Sequence, residues 1–235
     1  PVVAFSTDAT VAQNNGVFLL SFMIESELEA IARKATSEGI TRFAMLIPEG
    51  AYGQRVGEAF PSILSRYGGV VVHTENYARQ TGAMFEPAQR LASGGAAGGY
   101  QAVLIPEGGN LLRSLAPALA YYGVDPRQVR FFGTGLWNDI SVQRETSLRG
   151  GQFPAPPPEQ RTIFIEQYRQ VYGERPPRIA SLGYDAVLLA AHLAADGDRG
   201  QRYQLQDLTT ENGFAGVDGI YRSRADGITE RGFSI

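Results

Sequence analysis

Phe43-Ala44-Met45-Leu46-Ile47-Pro48-Glu49-Gly50-Ala51-Tyr52-Gly53 is the stretch that decides the fold. It begins as a continuous apolar run of strand length. A run without polar alternation predicts a strand buried on both faces. Pro48 ends it, because proline cannot donate to a ladder. A polar turn follows, and then Val56, Phe60, Ile63 and Leu64 recur at helical spacing, which predicts a helix over 53–67 with Pro61 as a kink.

The same grammar repeats on either side. Residues 17–22 read as a strand and 25–37 as a helix, with Leu28, Ile31, Ala32 and Ala35 on one face and Gly39 as its stop. Residues 69–73 are short and β-branched, and 82–92 are helical by Phe85, Ala88 and Leu91. Residues 102–105 form another apolar run ended by Pro106. A helix over 110–121 follows, with Asn110 as a good N-cap, then a strand over 129–132. Buried strands alternating with helices predict an α/β fold with a parallel sheet covered on both faces. Ser93-Gly94-Gly95-Ala96-Ala97-Gly98-Gly99 is low in complexity and reads as a mobile surface loop.

After residue 150 the character changes. Gly150 to Pro158 is rich in glycine and proline and reads as an extended connector. Helices are predicted over 159–172 and 179–195, the second with Leu182, Ala186, Leu189, Ala190 and Leu193 on its apolar face. Near the end, alternating segments flank Asp226-Gly227, a strong hairpin signal.

Composition bounds the chemistry. The 235 residues carry 21 Lys+Arg and 24 Asp+Glu, a net charge of −3. That balance excludes a strong basic field for nucleic acid. With no cysteine, a disulfide framework, a thiol nucleophile and a Cys-ligated zinc site are ruled out within the chain. The two histidines, His73 and His192, read as structural. No window reaches ~18 consecutive apolar residues. Both ends read as cut, so a longer protein is expected, with its targeting signals outside this chain.

Candidate site residues fall where strands end. In an open α/β sheet, ligands bind outside the carboxyl ends of the strands. Tyr52 offers a ring face and a hydroxyl there, or else packs on its own helix. Pro106-Glu107-Gly108-Gly109 repeats the arrangement, placing Glu107 and Gly108 at a second strand end. Neither turn has a phosphate-loop lysine or a Gly-x-Gly-x-x-Gly pattern, and each carries a carboxylate, so a nucleotide is disfavoured. Trp137, in Gly133-Thr134-Gly135-Leu136-Trp137, reads equally as a cleft wall, a lobe contact or a simple cap. Ser6, Thr7 and Asp8 could hold a carboxylate or serve as an N-cap. Glu49, Glu107 and Asp139 could cluster as a glycosidase pair would need, without further support. No catalytic motif and no metal-ligand spacing is present.

The order of these pieces carries a resemblance. It runs from Pro1-Val2-Val3 with Ser6, through Arg42-Phe43-Ala44-Met45-Leu46-Ile47 and Ala51-Tyr52-Gly53, to Tyr100-Gln101-Ala102-Val103-Leu104-Ile105. Phe131-Phe132-Gly133-Thr134-Gly135 and Ala180-Ser181-Leu182-Gly183-Tyr184-Asp185-Ala186-Val187 complete it. The chain resembles the type I periplasmic binding proteins of the leucine/isoleucine/valine receptor group. Ile105-Pro106-Glu107-Gly108-Gly109 and Gly133-Thr134-Gly135-Leu136-Trp137 look most like the alphaproteobacterial lipoprotein activators of penicillin-binding proteins.

The resemblance implies two Rossmann-like lobes, with most of lobe one before Pro1. Residues 1–23 would end lobe one and form a hinge strand, and 24–149 would be lobe two. Residues 150–158 would cross the hinge, and 159–235 would return as helices and a hairpin. It implies a non-enzymatic periplasmic protein with no cofactor, lipid-anchored through a cysteine before Pro1. Its partner would be a penicillin-binding protein acting as peptidoglycan synthase. The alternative is a solute receptor for an ABC importer permease, with a small polar ligand between the lobes. In amino-acid receptors, the turn matching Ser6, Thr7 and Asp8 holds the α-carboxylate and α-amino group, and an aromatic matches Tyr52. The acidic residue that receives the α-ammonium would fall near Gly135, where this chain has none.

Overall fold

The structure is a computed structural model that describes residues 1–12, 15–195 and 202–235, and the chain divides into two compact units. In chain order the elements are β1 (Val2–Ala4), β2 (Val17–Leu19), α1 (Ile24–Ser37), β3 (Arg42–Pro48), α2 (Ala51–Arg66), β4 (Val70–Tyr77), α3 (Phe85–Gly98), β5 (Ala102–Ile105) and α4 (Gly109–Tyr121). They continue with β6 (Arg130–Gly133), α5 (Ile140–Gln143), α6 (Pro158–Tyr172), α7 (Ala180–Ala195), α8 (Leu205–Leu208), β7 (Phe214–Gly216), β8 (Gly219–Ser223) and β9 (Thr229–Arg231). One unit comprises Pro1–Ser26 and Pro156–Ser234, and the other Glu27–Ala155 with Ile235. The parallel α/β architecture expected from the strand runs is present.

The second unit is a four-stranded parallel sheet in the order β4-β3-β5-β6. Every residue of β3 from Phe43 to Pro48 is buried, as a central parallel strand requires. Its side chains alternate between two helical layers. Phe43 meets Phe60 of α2 edge-on at 5.2 Å, while Ala44 and Leu46 join a core with Ala88 and Leu91 of α3 and Leu112 and Leu115 of α4. Pro61 lies inside α2 without ending it.

Three expectations are corrected here. β4 runs to Tyr77 and does not stop at His73. It is an edge strand whose residues alternate in exposure, so polar His73 and Glu75 are tolerated on one side, 3.1 Å apart. The low-complexity stretch read as a loop is instead the second half of α3. Its glycines allow close docking. A Cβ on Gly94 would lie 2.9 Å from the His73 ring, and one on Gly95 would lie 2.8 Å from the Tyr100 ring. The N-cap of α4 is Gly108, with Asn110 inside the first turn.

The first unit pairs β1 with β2 in parallel and β7-β8-β9 antiparallel, the hairpin turning at Asp226-Gly227 as its sequence predicts. α7 buries Leu182, Leu189 and Leu193, together with Ser181 and Asp185, while Ala190 faces solvent. No helix among the described residues is long and apolar enough to cross a membrane.

Candidate functional site

In the second unit the chain builds β3, steps outward to β4, then crosses back to β5 and β6 on the other side. The direction of winding reverses between β3 and β5. At such a switch point the two loops leaving the strands diverge and open a crevice at their carboxyl ends. The loop after β3 leads to Tyr52 in the first turn of α2, and the loop after β5 carries Glu107 and Gly108 into α4. Both helices start here without a side-chain cap. The turn after β3 is tight, and a Cβ on Gly53 would sit 1.7 Å from the Pro48 carbonyl oxygen, so only glycine fits.

The polar groups at this edge are tied to one another. The Tyr52 hydroxyl donates to Thr134 Oγ1, after β6, at 2.8 Å. Glu107, only 1% exposed, accepts from Tyr77 Oη at 3.1 Å, from Arg79 Nε and Nη2 at 3.0 Å each, and from the Gly108 amide at 2.9 Å. A carboxylate taken out of water needs such a set of donors. Glu27 of α1 accepts the Gly135 amide at 2.8 Å, and its Oε1 lies 2.7 Å from where a Cβ on Gly135 would be.

Burial pushes the Tyr52 and Tyr77 hydroxyls well above the ordinary tyrosine range. Glu27 and Glu107 push Tyr52 further, against its bond to Thr134, and Glu107 pushes Tyr77. Both phenols therefore stay protonated as donors. Among the described residues no cluster of three or more His, Cys, Asp or Glu side chains could hold a metal ion.

The structure brings Tyr52, Glu107 and Gly108 to one sheet edge. Tyr52 is 39% exposed and presents part of its ring. Trp137 lies close by in sequence but is 2% exposed, in the same core as Leu112 and Phe131. Its ring presses on Gly133, where a Cβ would stand 2.0 Å from it. Ser6, Thr7 and Asp8 belong to the other unit. There Asp8 caps a short 3-10 turn, accepting the Thr10 amide at 2.9 Å, and Ser6 Oγ accepts the Asp8 amide at 3.0 Å. Sequence reasoning missed Tyr77, Arg79 and Glu27. The first two follow from the longer β4, whereas the Glu27–Gly135 contact spans 108 residues and leaves no local signal.

Comparison with known proteins fits this geometry. The model of a family described as periplasmic binding protein matches residues 1–235. A candidate branched-chain amino acid ABC transporter from Rhodospirillum rubrum superposes with a TM-score of 0.78 at 20% identity, over 93% of this chain and 64% of its own. The leucine binding protein LivK from Thermotoga maritima gives 0.65 at 17% identity, over 100% of this chain and 72% of its own. The C-domain of LpoA from Haemophilus influenzae, a regulator of PBP1A, gives 0.66 at 18% identity, over 92% and 65%. This chain therefore spans less than two thirds of the Rhodospirillum protein's length. No curated protein sequence matches it. These identities carry the fold alone, and the fold is that of the type I periplasmic binding proteins.

Proposed function

The chain belongs to the periplasmic binding protein family, and from that premise we propose that it is a non-enzymatic regulator of peptidoglycan synthesis. It acts as a lipoprotein-type activator that touches a penicillin-binding protein in the periplasm, anchored by a lipid outside this chain. The observation that carries this reading is the closure of the polar set at the sheet edge. Glu107 spends its oxygens on Arg79, Tyr77 and Gly108, and the Tyr52 hydroxyl is spent on Thr134. A receptor for a small polar solute keeps such groups converging on the ligand, whereas here they hold the loops to each other. The LpoA C-domain, of a regulator of PBP1A, shares this fold.

A second reading has one observation in its favour. The Glu27 carboxylate stands at Gly135, the place where the resemblance expects an acidic group for an α-ammonium. A solute receptor of an ABC importer, taking a branched-chain-amino-acid-like or other small polar ligand, would use Glu27 with the half-exposed Tyr52.

The test pairs two assays on the full-length protein. Immobilised protein is exposed to a purified class A peptidoglycan synthase, and the same protein is heated with each of the twenty amino acids. Saturable synthase binding without a thermal shift supports the regulator. A ligand at a hundredfold excess over its Kd stabilises by about 2.7 kcal/mol. A shift of that size together with no synthase binding selects the receptor.

A further inference from the structure

We propose that the second unit carries a separate binding site for a small monocarboxylate with an apolar body, in the pocket between Trp137 and the turn at Gly150. The cavity is about 420 Å³, within the usual range for small-molecule pockets. Val142, Leu148 and Phe153 give it an apolar interior, and Trp137 forms one wall. Arg144 and Arg149 stand in its lining, both exposed, and neither side chain has an ion pair or hydrogen bond among the described residues. The one carboxylate in the lining, Glu145, turns back to accept the Ser147 amide at 3.1 Å. The pocket is thus locally cationic on a chain whose net charge is −3.

Two guanidinium side chains in the lining of an apolar cavity, neither paired among the described residues, select an anion attached to an apolar body. Guanidinium binds a carboxylate through two parallel hydrogen bonds, and the apolar part of the ligand is removed from water below. A neutral ligand would leave both cations unmet, and a small inorganic anion would leave the cavity unfilled. Tyr52, Glu107 and Thr134 do not line this pocket, so it does not belong to the switch-point edge.

Trp137 is the single tryptophan, and its Nε1 is buried with no hydrogen-bond partner among the described residues, so its emission reports on the wall of this pocket. The experiment titrates the full-length protein with cyclohexanecarboxylate, exciting Trp137, with calorimetry in parallel. The expected result is a saturable change in emission with a matching heat. The double variant Arg144→Gln/Arg149→Gln changes only exposed side chains and leaves the melting temperature in place. It is expected to weaken binding about tenfold or more, the effect of losing a charge-assisted pair. Cyclohexanecarboxamide, the neutral isostere, is expected to bind at least about tenfold less tightly than the acid. Tyr52→Phe is expected to leave the titration unchanged. The proposal is overturned by no saturable signal up to a concentration on the order of 10 mM, by equal affinity in the double variant, or by equal affinity for the amide. Loss of the signal in Tyr52→Phe would place the ligand at the other edge and overturn it as well.

Discussion

In the second unit the largest fully buried side chains are Trp137, Tyr77, Phe43, Phe60, Phe131 and Phe132, and its buried carboxylate, Glu107, lies at the rim where the half-exposed Arg79 reaches it. The interior of the first unit holds charge. Asp218 is 0% exposed and takes Arg178 at 2.8 Å, Arg161 at 3.1 Å and Ser181 Oγ at 2.5 Å. Asp185 accepts the Val217 amide at 2.8 Å, while Arg231, also buried, reaches its other oxygen only at 3.9 Å. The guanidinium carbon of Arg178 stacks 3.7 Å from the Phe22 ring centroid, and that of Arg231 lies 4.9 Å from the same centroid. One unit is therefore held by apolar burial, with charge at the carboxyl edge of its sheet. The other adds to its own apolar clusters, around Leu20 and Leu189 and around Leu19 and Met23, a buried ionic network in which breaking one partner costs more than the intact pair contributes.

The sharpest way to break this contrast is Asp218→Ala. It leaves Arg161 and Arg178 facing an empty partner, and the expected loss is about 3–5 kcal/mol. Hydrogen exchange is expected to show the loss in β7, β8 and α7, with β3 and β5 still protected. Phe43→Ala should do the reverse at similar size, about 3–5 kcal/mol, removing protection from β3, β5 and α2. A uniform loss across both units in either variant would refute two separately held cores.

Smaller changes sharpen the picture at the edge. Glu107→Gln keeps volume but discharges the partner of Arg79. Glu107 is itself buried, and the amide sets an NH2 donor against donors, so the cost in urea unfolding should be about 1–3 kcal/mol. Tyr52→Phe removes a single bond to Thr134 and should cost about 0.5–1.5 kcal/mol. A larger loss than in Glu107→Gln would mean that Tyr52 closes the loops by itself.

The weakest handle is pH. Burial raises the Asp185 carboxyl above its ordinary value, chiefly against the Val217 amide and Arg231. The folded first unit then binds more protons than the unfolded chain between the ordinary carboxylate range and the raised value. Its stability falls as pH rises through that window. In the second unit, Arg127 and Ser141 hold Asp125 and Asp139 below their ordinary values, so those groups contribute stability that is lost as pH falls. Opposite pH slopes in the two units are expected by hydrogen exchange, and Asp185→Asn should flatten the slope of the first. Parallel slopes would show that Asp185 is not the controlling group.

Much of the second unit was legible in the chain. Apolar runs such as 43–47 and 102–105 read as buried parallel strands, and the turns after them carry Tyr52 and Glu107. β4 was underread because an edge strand tolerates His73, Thr74 and Glu75, which weakens the apolar signal that identified its neighbours. The glycines of α3 looked like a loop because composition does not show the His73 and Tyr100 rings they pack against. In the first unit the Asp226-Gly227 turn was plain, yet the buried Asp185, Asp218 and Arg231 were not. Hydropathy scores each as a surface residue, and only their pairing across 32 or more residues, as between Asp185 and Val217 or Ser181 and Asp218, explains their burial. Trp137 left its alternatives open in the sequence, and its burial against Gly133 follows from tertiary packing.

In the proposed role the edge bearing Tyr52 and Glu107 is closed on itself and the chain works by touching a synthase. The most direct test adds the full-length protein to a class A peptidoglycan synthase with lipid-linked precursor and follows glycan polymerisation and crosslinking. The expected result is a saturable rise in rate that Tyr52→Phe leaves intact. An unchanged rate at saturating protein, with a free amino acid raising the protein's melting temperature, would contradict it.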